Sequence, residues 1–494
     1  MAATTSRQLL PTDKALAVDQ LRRAELATPA PDFPLAPLLP PDAARQRALP
    51  ALPLRDSSSF RPGWRVDSYV VPAAFPRMQR NGTSAPGEPS PVAHRPAQGD
   101  RIDYDELLLD VLGEQIETVN DAVLDVERER EALEKQQQLY LAVNRYVPTR
   151  RSASAGKKTA VSLVVLHGNG MHKEIMEPVL RPLLDQLEAE GDVEVEEIWA
   201  LDSVNQGDSE LLNADVMGKG SNWLDYARDL LNFLLVYIDS PTLSSPSSPG
   251  RPAPLLEPSA HTRAELLLNA RAPQPAGTPL PSHRLFRNKR LVGIGHSFGG
   301  SILGLAATAC PAVFSSVIIL DPWLISKDFA GSVIDGGFFR SVALRRDSWT
   351  SREEAVKSLT SKGLFGIWDP EIVETFMRYG LRDLPDGRVA LKCSARIESL
   401  LYANAYGWQG TYLFRRLKEM DGSLPIHLIL PSPKASINPP HQQAGFSELA
   451  AVSIERVNKS HHLMPQCQPK RAAEVIARRI GETYGRRAEG KPRL

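Results

Sequence analysis

The sequence predicts a doubly wound α/β fold built on a mostly parallel sheet. Three observations lead there. From residue 161 onward, short apolar runs alternate with stretches of helical spacing. Runs such as 161–166 are apolar but for Ser162 and valine-rich, the pattern of a strand buried on both faces. In the middle of the series stands a glycine-rich strand-to-helix turn, Gly295-His296-Ser297-Phe298-Gly299.

The elements follow in order. Residues 68–71 and 139–143 read as strands. Between them, 104–138 has the spacing of an inserted helix (Leu107, Leu108, Val111, Leu112, Ile116, Val119), and its charge run 127–131 reads as a solvated face. Strand 161–166 leads to a helix over 175–187, strand 193–201 to a helix over 223–238, and strand 291–294 to a helix over 301–308. Strands at 316–320, 426–430 and 453–457 and a helix over 471–484 complete the alternation. About a hundred residues separate the sixth strand from the seventh. Helical patterns at 352–359 and 371–379 predict a helical cap over 326–420, inserted between those two core strands.

Proline, with serine, alanine and glycine, concentrates in residues 1–100 and 241–281, marking segments unable to bury enough apolar surface to order themselves. The expected organisation is a disordered segment over 1–58 and a core of 59–325 and 421–486, with insertions at about 101–136 and 240–285. A basic tail spans 487–494.

Of 494 residues, 42% are hydrophobic and 23% charged, ordinary values for a globular protein. Lysine plus arginine and aspartate plus glutamate each total 58, so net charge gives no reason to expect nucleic acid as a partner. The three cysteines, Cys310, Cys393 and Cys467, are scattered, which argues against zinc or a disulfide framework and for a reducing compartment. No cofactor is expected. The chain opens without a signal-peptide core, and no run reaches the roughly 18 apolar residues of a membrane span, so a soluble intracellular protein is expected.

The chemistry centres on Ser297. A strand before it and a small-residue helix after it form the context of a nucleophile elbow, in which glycines at 295 and 299 let the chain reverse sharply. A developing oxyanion needs two fixed backbone N–H donors. The strand ending in His167-Gly168-Asn169-Gly170 supplies one at Asn169, and Phe298, which follows the nucleophile, supplies the other. His167 and His172 read as structural. The general base is expected in the loop Asn458-Lys459-Ser460-His461-His462-Leu463-Met464-Pro465. His462 is preferred because Pro465 and Pro469 follow at the offsets usual for such a base, and His461 stays open as the alternative. The commoner position of the acid, after strand 426–430, reads Pro431-Ser432-Pro433-Lys434-Ala435-Ser436 and offers no carboxylate. Asp321, at the end of strand 316–320, therefore takes the role, in the chain order Ser, Asp, His; its other reading is a turn residue ahead of Pro322. Asp202 and Asp208 read as holding their own loop.

These motifs together look familiar. Leu166-His167-Gly168-Asn169-Gly170-Met171-His172-Lys173-Glu174, Asp202 to Ser209, the Ser297 elbow, Arg345-Arg346-Asp347-Ser348-Trp349, Tyr379-Gly380-Leu381-Arg382 and the Ser460 to Pro465 loop resemble fungal α/β-hydrolases of the peroxisomal lipase and toxin-biosynthesis type. The resemblance covers about residues 66–484 outside the two insertions. It implies an α/β-hydrolase fold with a cap, acting on esters with a fatty acyl part. The closing Pro492-Arg493-Leu494 is similar to a peroxisomal address read by an import receptor, although proline replaces the usual small residue, and an arbitrary basic tail is the other reading.

The expected activity is carboxylic ester hydrolysis through an acyl-Ser297 intermediate, on a small-molecule or lipid ester. Acyl transfer or thioester hydrolysis by the same triad is one alternative, and a non-catalytic binding module is another. Epoxide hydrolysis and dehalogenation are disfavoured, because enzymes of this fold that carry them out have aspartate where Ser297 stands.

Overall fold

The computed structural model describes residues 38, 42–90, 135–150, 158–219, 222–244, 253–259, 289–324, 341–361, 364–405, 408–438 and 440–485. Most of the expected helix over 104–138 and the C-terminal tripeptide lie outside these residues.

Eight strands form one sheet: β1 (Trp64–Pro72), β2 (Tyr140–Pro148), β3 (Thr159–Leu166), β4 (Val193–Leu201), β5 (Leu291–His296), β6 (Ser316–Leu320), β10 (Ile426–Leu430) and β11 (Val452–Arg456). Their order is β1-β2-β4-β3-β5-β6-β10-β11. From β4 to β11 every neighbouring pair is parallel, and β2 alone runs against its neighbours. The reason for β3's apolar run, broken only at Ser162, is visible in its packing. Val164 and Leu166 enter the core on one face of the sheet, while Val161, Leu163 and Val165 enter the core on the other.

Helices cover both faces. Phe298–Ala309 and Trp223–Asn232 lie in the first core, and Glu177–Glu190 and Pro469–Tyr484 in the second. The helix expected over 223–238 changes character part-way, its last turn, Phe233–Tyr237, being π-helical. The chain passes from β3 to β4 on one side and then to β5 on the other side of β3. Such a reversal opens a crevice at the carboxyl ends of the strands, where ligands bind in this architecture.

Between β6 and β10 the chain forms more than helices. Arg352–Thr360, Pro370–Tyr379 and Ala395–Ala405 are helical, but β7 (Ser348–Trp349), β8 (Leu381–Asp383) and β9 (Val389–Leu391) make a separate antiparallel sheet in the order β7-β9-β8. Helix Trp408–Lys418 packs on helix Phe298–Ala309, where Gly304 leaves room for Leu413, and serves as the crossover that returns the chain to β10. The inserted part therefore ends before this helix and not at 420.

Two low-complexity segments also pack more than expected. Residues 42–58, within the segment expected to be disordered, pack on the rest of the chain. Arg55 pairs with buried Glu174 and Glu177, and Leu52 joins a small core with Val70 and Tyr140. Residues 253–259, inside the 240–285 insertion, pair along the edge of β1: Val70 donates to the Pro254 carbonyl, and Leu256 donates to the Val70 carbonyl.

Candidate active site

The turn at Ser297 is strained in the way a nucleophile elbow requires. Ser297 has φ 53° and ψ −119°, outside the usual regions for a residue with a side chain. Its N–H donates to the Leu320 carbonyl at 2.9 Å, which ties the turn to β6. The flanking glycines are steric necessities. A Cβ at Gly295 would sit 2.6 Å from the Gly299 carbonyl oxygen, and one at Gly299 would sit 2.4 Å from that of His167.

Three side chains from three strand ends meet here. His462 Nε2 lies 3.0 Å from Ser297 Oγ, and His462 Nδ1 lies 2.7 Å from Asp321 Oδ2. Asp321 is 2% exposed and its carboxylate is fully employed. Ser436 Oγ donates to Oδ1 at 2.6 Å, Asn438 Nδ2 to Oδ1 at 3.3 Å and Ile437 N–H to Oδ2 at 3.0 Å. The loop after β10, which carries no acid of its own, thus clamps the acid that follows β6.

The adjacent histidines separate cleanly. His461 is exposed and accepts from the Leu463 N–H through Nδ1 at 3.3 Å, whereas His462 reaches both Ser297 and Asp321. His296 supports His462 from below. Its Nε2 lies 2.9 Å from the His462 carbonyl oxygen, an acceptor only, so this nitrogen carries the proton. Burial lowers the His296 pKa to about 3, which keeps the ring neutral.

The strand-end segment after β3 closes the other side. Asn169 and Gly170 line the same cavity as Ser297. The Gly170 N–H donates to Gln206 Oε1 at 2.8 Å, and Asn169 Nδ2 donates to the Glu398 carbonyl at 3.1 Å. Gly170 has φ 73° and packs against the Glu398 carboxylate, which pairs with Arg345. Among the described residues the backbone N–H groups of Asn169 and Phe298 donate to no protein acceptor, and Phe298 is the first residue of its helix, where such donors are free. The Phe298 ring turns into the core against Trp223 and Tyr226.

His167 and His172 are buried and stand outside the hydrogen-bond chain of Ser297, His462 and Asp321. Burial lowers the His167 pKa to about 4, and His172 Nδ1 lies 3.0 Å from Glu174 Oε2. Asp202 and Asp208 hold the loop through Lys173, whose Nζ lies 2.9 Å from Asp202 Oδ2 and 2.6 Å from Asp208 Oδ2. Burial raises the Asp202 pKa to about 7 despite that partner.

The cavity over Ser297 measures about 300 Å³. Met171, Phe365, Trp368, Ile437 and Leu463 give it apolar walls, with Arg345, Glu398 and Lys434 as charged lining. Sequence reasoning missed the Ser436-Ile437-Asn438 clamp, the Gln206 acceptor and the Arg345–Glu398 pair. Ser436 and Asn438 were visible as polar residues in the very loop that lacked an acid, which is the one signal that pointed to them.

Residues 163–475 match the model of the alpha/beta hydrolase family. The chain belongs to that family. This α/β-hydrolase is 27% identical over 249 residues to the type I acyl-CoA thioesterase mpaH of Penicillium roqueforti (strain FM164), covering 50% of this chain and 45% of that protein. It is 25% identical over 256 residues to the peroxisomal membrane protein LPX1 of Saccharomyces cerevisiae, covering 49% and 54%. The chain thus spans about half the length of the curated relatives it matches. Among solved structures, the peroxisomal α/β-hydrolase Lpx1 of Saccharomyces cerevisiae superimposes with a TM-score of 0.59 at 19% identity, covering 88% of this chain and 94% of that one, a likeness of fold. Among the described residues no helix is long and apolar enough to cross a membrane.

Proposed function

We propose that this α/β-hydrolase cleaves acyl esters through an acyl-Ser297 intermediate. The observation that carries the reading is the unbroken chain Ser297 Oγ, His462 Nε2, His462 Nδ1, Asp321 Oδ2, with gaps of 3.0 and 2.7 Å. Ser297 Oγ attacks the acyl carbonyl carbon while His462 Nε2 takes its proton, and Asp321 stabilises the resulting imidazolium. The N–H groups of Asn169 and Phe298 hold the oxyanion. Collapse breaks the bond to the leaving group, which departs with the proton from His462. Water, deprotonated by the same nitrogen, then releases the acid and restores Ser297.

The segment between β6 and helix Trp408–Lys418 acts as the cap. Its Phe365 and Trp368 give the acyl part an apolar wall, and exclusion of water strengthens the oxyanion contacts. A thioester is the second reading, favoured by relatives named as acyl-CoA thioesterases. The leaving group alone differs.

The deciding experiment compares p-nitrophenyl esters and acyl-CoA thioesters of several chain lengths on wild type and Ser297→Ala. Wild type should turn over one class and be labelled at Ser297 by a fluorophosphonate, and the variant should do neither. Turnover that survives in Ser297→Ala would overturn the assignment, and failure of labelling in wild type would favour a binding module.

A further inference from the structure

The turn from Asp202 into helix Gly207–Asn213 takes no part in the chain of Ser297, His462 and Asp321, yet it grips the oxyanion side of the site. The Gly170 N–H donates to Gln206 Oε1 at 2.8 Å, and the Lys173 N–H donates to Asp202 Oδ1 at 2.7 Å. The segment after β3 is therefore tied to this turn at residues 170 and 173. A further tie comes from the part of the chain inserted after β6, where the Glu398 carbonyl accepts from Asn169 Nδ2 at 3.1 Å. The same turn reaches toward Phe298. Asn205 Nδ2 donates to Tyr226 Oη at 2.7 Å, and the Tyr226 ring packs edge-on against that of Phe298, with centroids 5.2 Å apart.

Within the turn, Gln206 has the least to offer stability alone. It is 0% exposed, and although it precedes helix Gly207–Asn213 its side chain caps no N–H there. Its Nε2 finds no acceptor among the described residues. A buried amide with an unpaired NH2 is a costly choice where methionine fills a similar space. What the amide supplies is one acceptor, aimed at the peptide between Asn169 and Gly170. Gly170, at φ 73° and without a Cβ, does little to restrain that peptide by itself.

We propose that Gln206 is a positioning residue of the oxyanion hole, a role that rests on the acyl-Ser297 reading. The Asn169 N–H lies one peptide before the one that Gln206 holds, and the two peptides share the Asn169 Cα. A swing of the second tilts the first. Oxyanion stabilisation depends on donors fixed before the charge develops, because a donor that must reorient loses much of its effect. Gln206 does not line the cavity over Ser297, so it acts on the transition state through Gly170 and leaves substrate binding alone.

The test uses the full chain, the ester or thioester that wild type turns over best, and a trifluoromethyl ketone with the same acyl chain. Ser297 Oγ adds to the ketone carbon and passes its proton to His462, which leaves a stable oxyanion in the hole. Gln206→Met, without an acceptor, should lower kcat by about ten- to a hundredfold with KM within about threefold, less than the loss of about 10²–10³ when an oxyanion donor itself is removed. Ketone affinity should fall by about the same factor. Gln206→Asn, polar but one methylene short, should lose about tenfold, and Gln206→Glu, which keeps an oxygen at the same reach, should recover most of kcat. Gln138→Met is the control for stability: it removes buried bonds of 2.8 Å to the Ala73 and Leu139 carbonyls, outside the cavity, and should lower the melting temperature with kcat within about twofold of wild type. If Gln206→Met does not fold, Gln206→Asn carries the comparison. Wild-type kcat and ketone affinity in the folded variants, a rise in KM alone, or a Gln206→Glu no faster than Gln206→Asn would overturn the proposal. A wild type with neither turnover nor labelling at Ser297 would overturn the acyl-Ser297 reading, and this role with it, whereas an active wild type unaffected by Gln206 variants would overturn this role alone.

Discussion

Asparagine in place of Asp321 is the sharpest perturbation available at the site. Four donors converge on this carboxylate: His462 Nδ1, Ile437 N–H, Ser436 Oγ and Asn438 Nδ2. An amide can accept on one side only. With its NH2 group toward His462, it faces the Ile437 N–H and forces the imidazole into the other tautomer, in which Nε2 carries the proton and cannot take one from Ser297. Turned the other way, it opposes the Asn438 amide, which cannot flip because its Oδ1 accepts from the Leu324 N–H at 3.0 Å. Both orientations also lose the charge that stabilises the imidazolium. A loss of about 10³–10⁴ in kcat is expected, equivalent to about 4–5.5 kcal/mol. KM should change little, since Asp321 does not line the cavity. The assay is steady-state hydrolysis of the best ester or thioester, with pre-steady-state acylation to locate the slow step. A second variant, Asp321→Ser with Ser436→Asp, moves the carboxylate across the 2.6 Å hydrogen bond to the loop after β10, and should recover about tenfold or more of the loss. A kcat for Asp321→Asn within tenfold of wild type would refute the role of Asp321.

Three further outcomes follow from the same structure. His462→Ala should lower kcat by about 10²–10⁴, whereas His461→Ala should stay within about threefold; comparable losses in both variants would show that the two share the proton. Acid should weaken the fold from about pH 6.5 downward. His167 and His296 have pKa values lowered to about 4 and about 3 by burial, so below about pH 6.5 the unfolded chain binds protons that the native state refuses. Each costs up to about 1.4 kcal/mol per pH unit until its folded pKa is reached, and urea midpoints that stay flat from pH 7 to 5 would contradict it. Lys173→Met leaves buried Asp202 without its cation, while Asp208 keeps Lys392 and Glu174 keeps Arg55; the cost is about 3–5 kcal/mol, and thermal unfolding should move down by several degrees.

What was legible in the sequence was set by local chemistry. β4, β6 and β10 have the expected bounds, and β6 shows the reason most plainly, since all five of its positions are buried. The elbow was legible because its glycines are sterically obligatory. The antiparallel sheet between β6 and β10 was not, since strands of two and three residues are too short to show alternation. The N-terminal segment was misread because proline-rich composition says nothing of Arg55 and its partners more than a hundred residues away. His461 and His462 differ only in which way each ring points, a matter of packing. The clamp on Asp321 joins residues 115 to 117 positions apart, a separation that no local pattern records.

The insertion between β6 and helix Trp408–Lys418 has a further consequence. It departs beyond Leu324 and is back by Tyr402, whose ring lies 5.9 Å from that of Trp323. The two ends are therefore neighbours, and the length of chain between them adds little to the entropy of closing the loop. Such an excursion behaves as a cassette. It can grow, shrink or be exchanged for one of different lining while Ser297, Asp321 and His462, all anchored outside it, keep their spacing. Variation in the walls is decoupled from the hydrogen-bond chain in the floor.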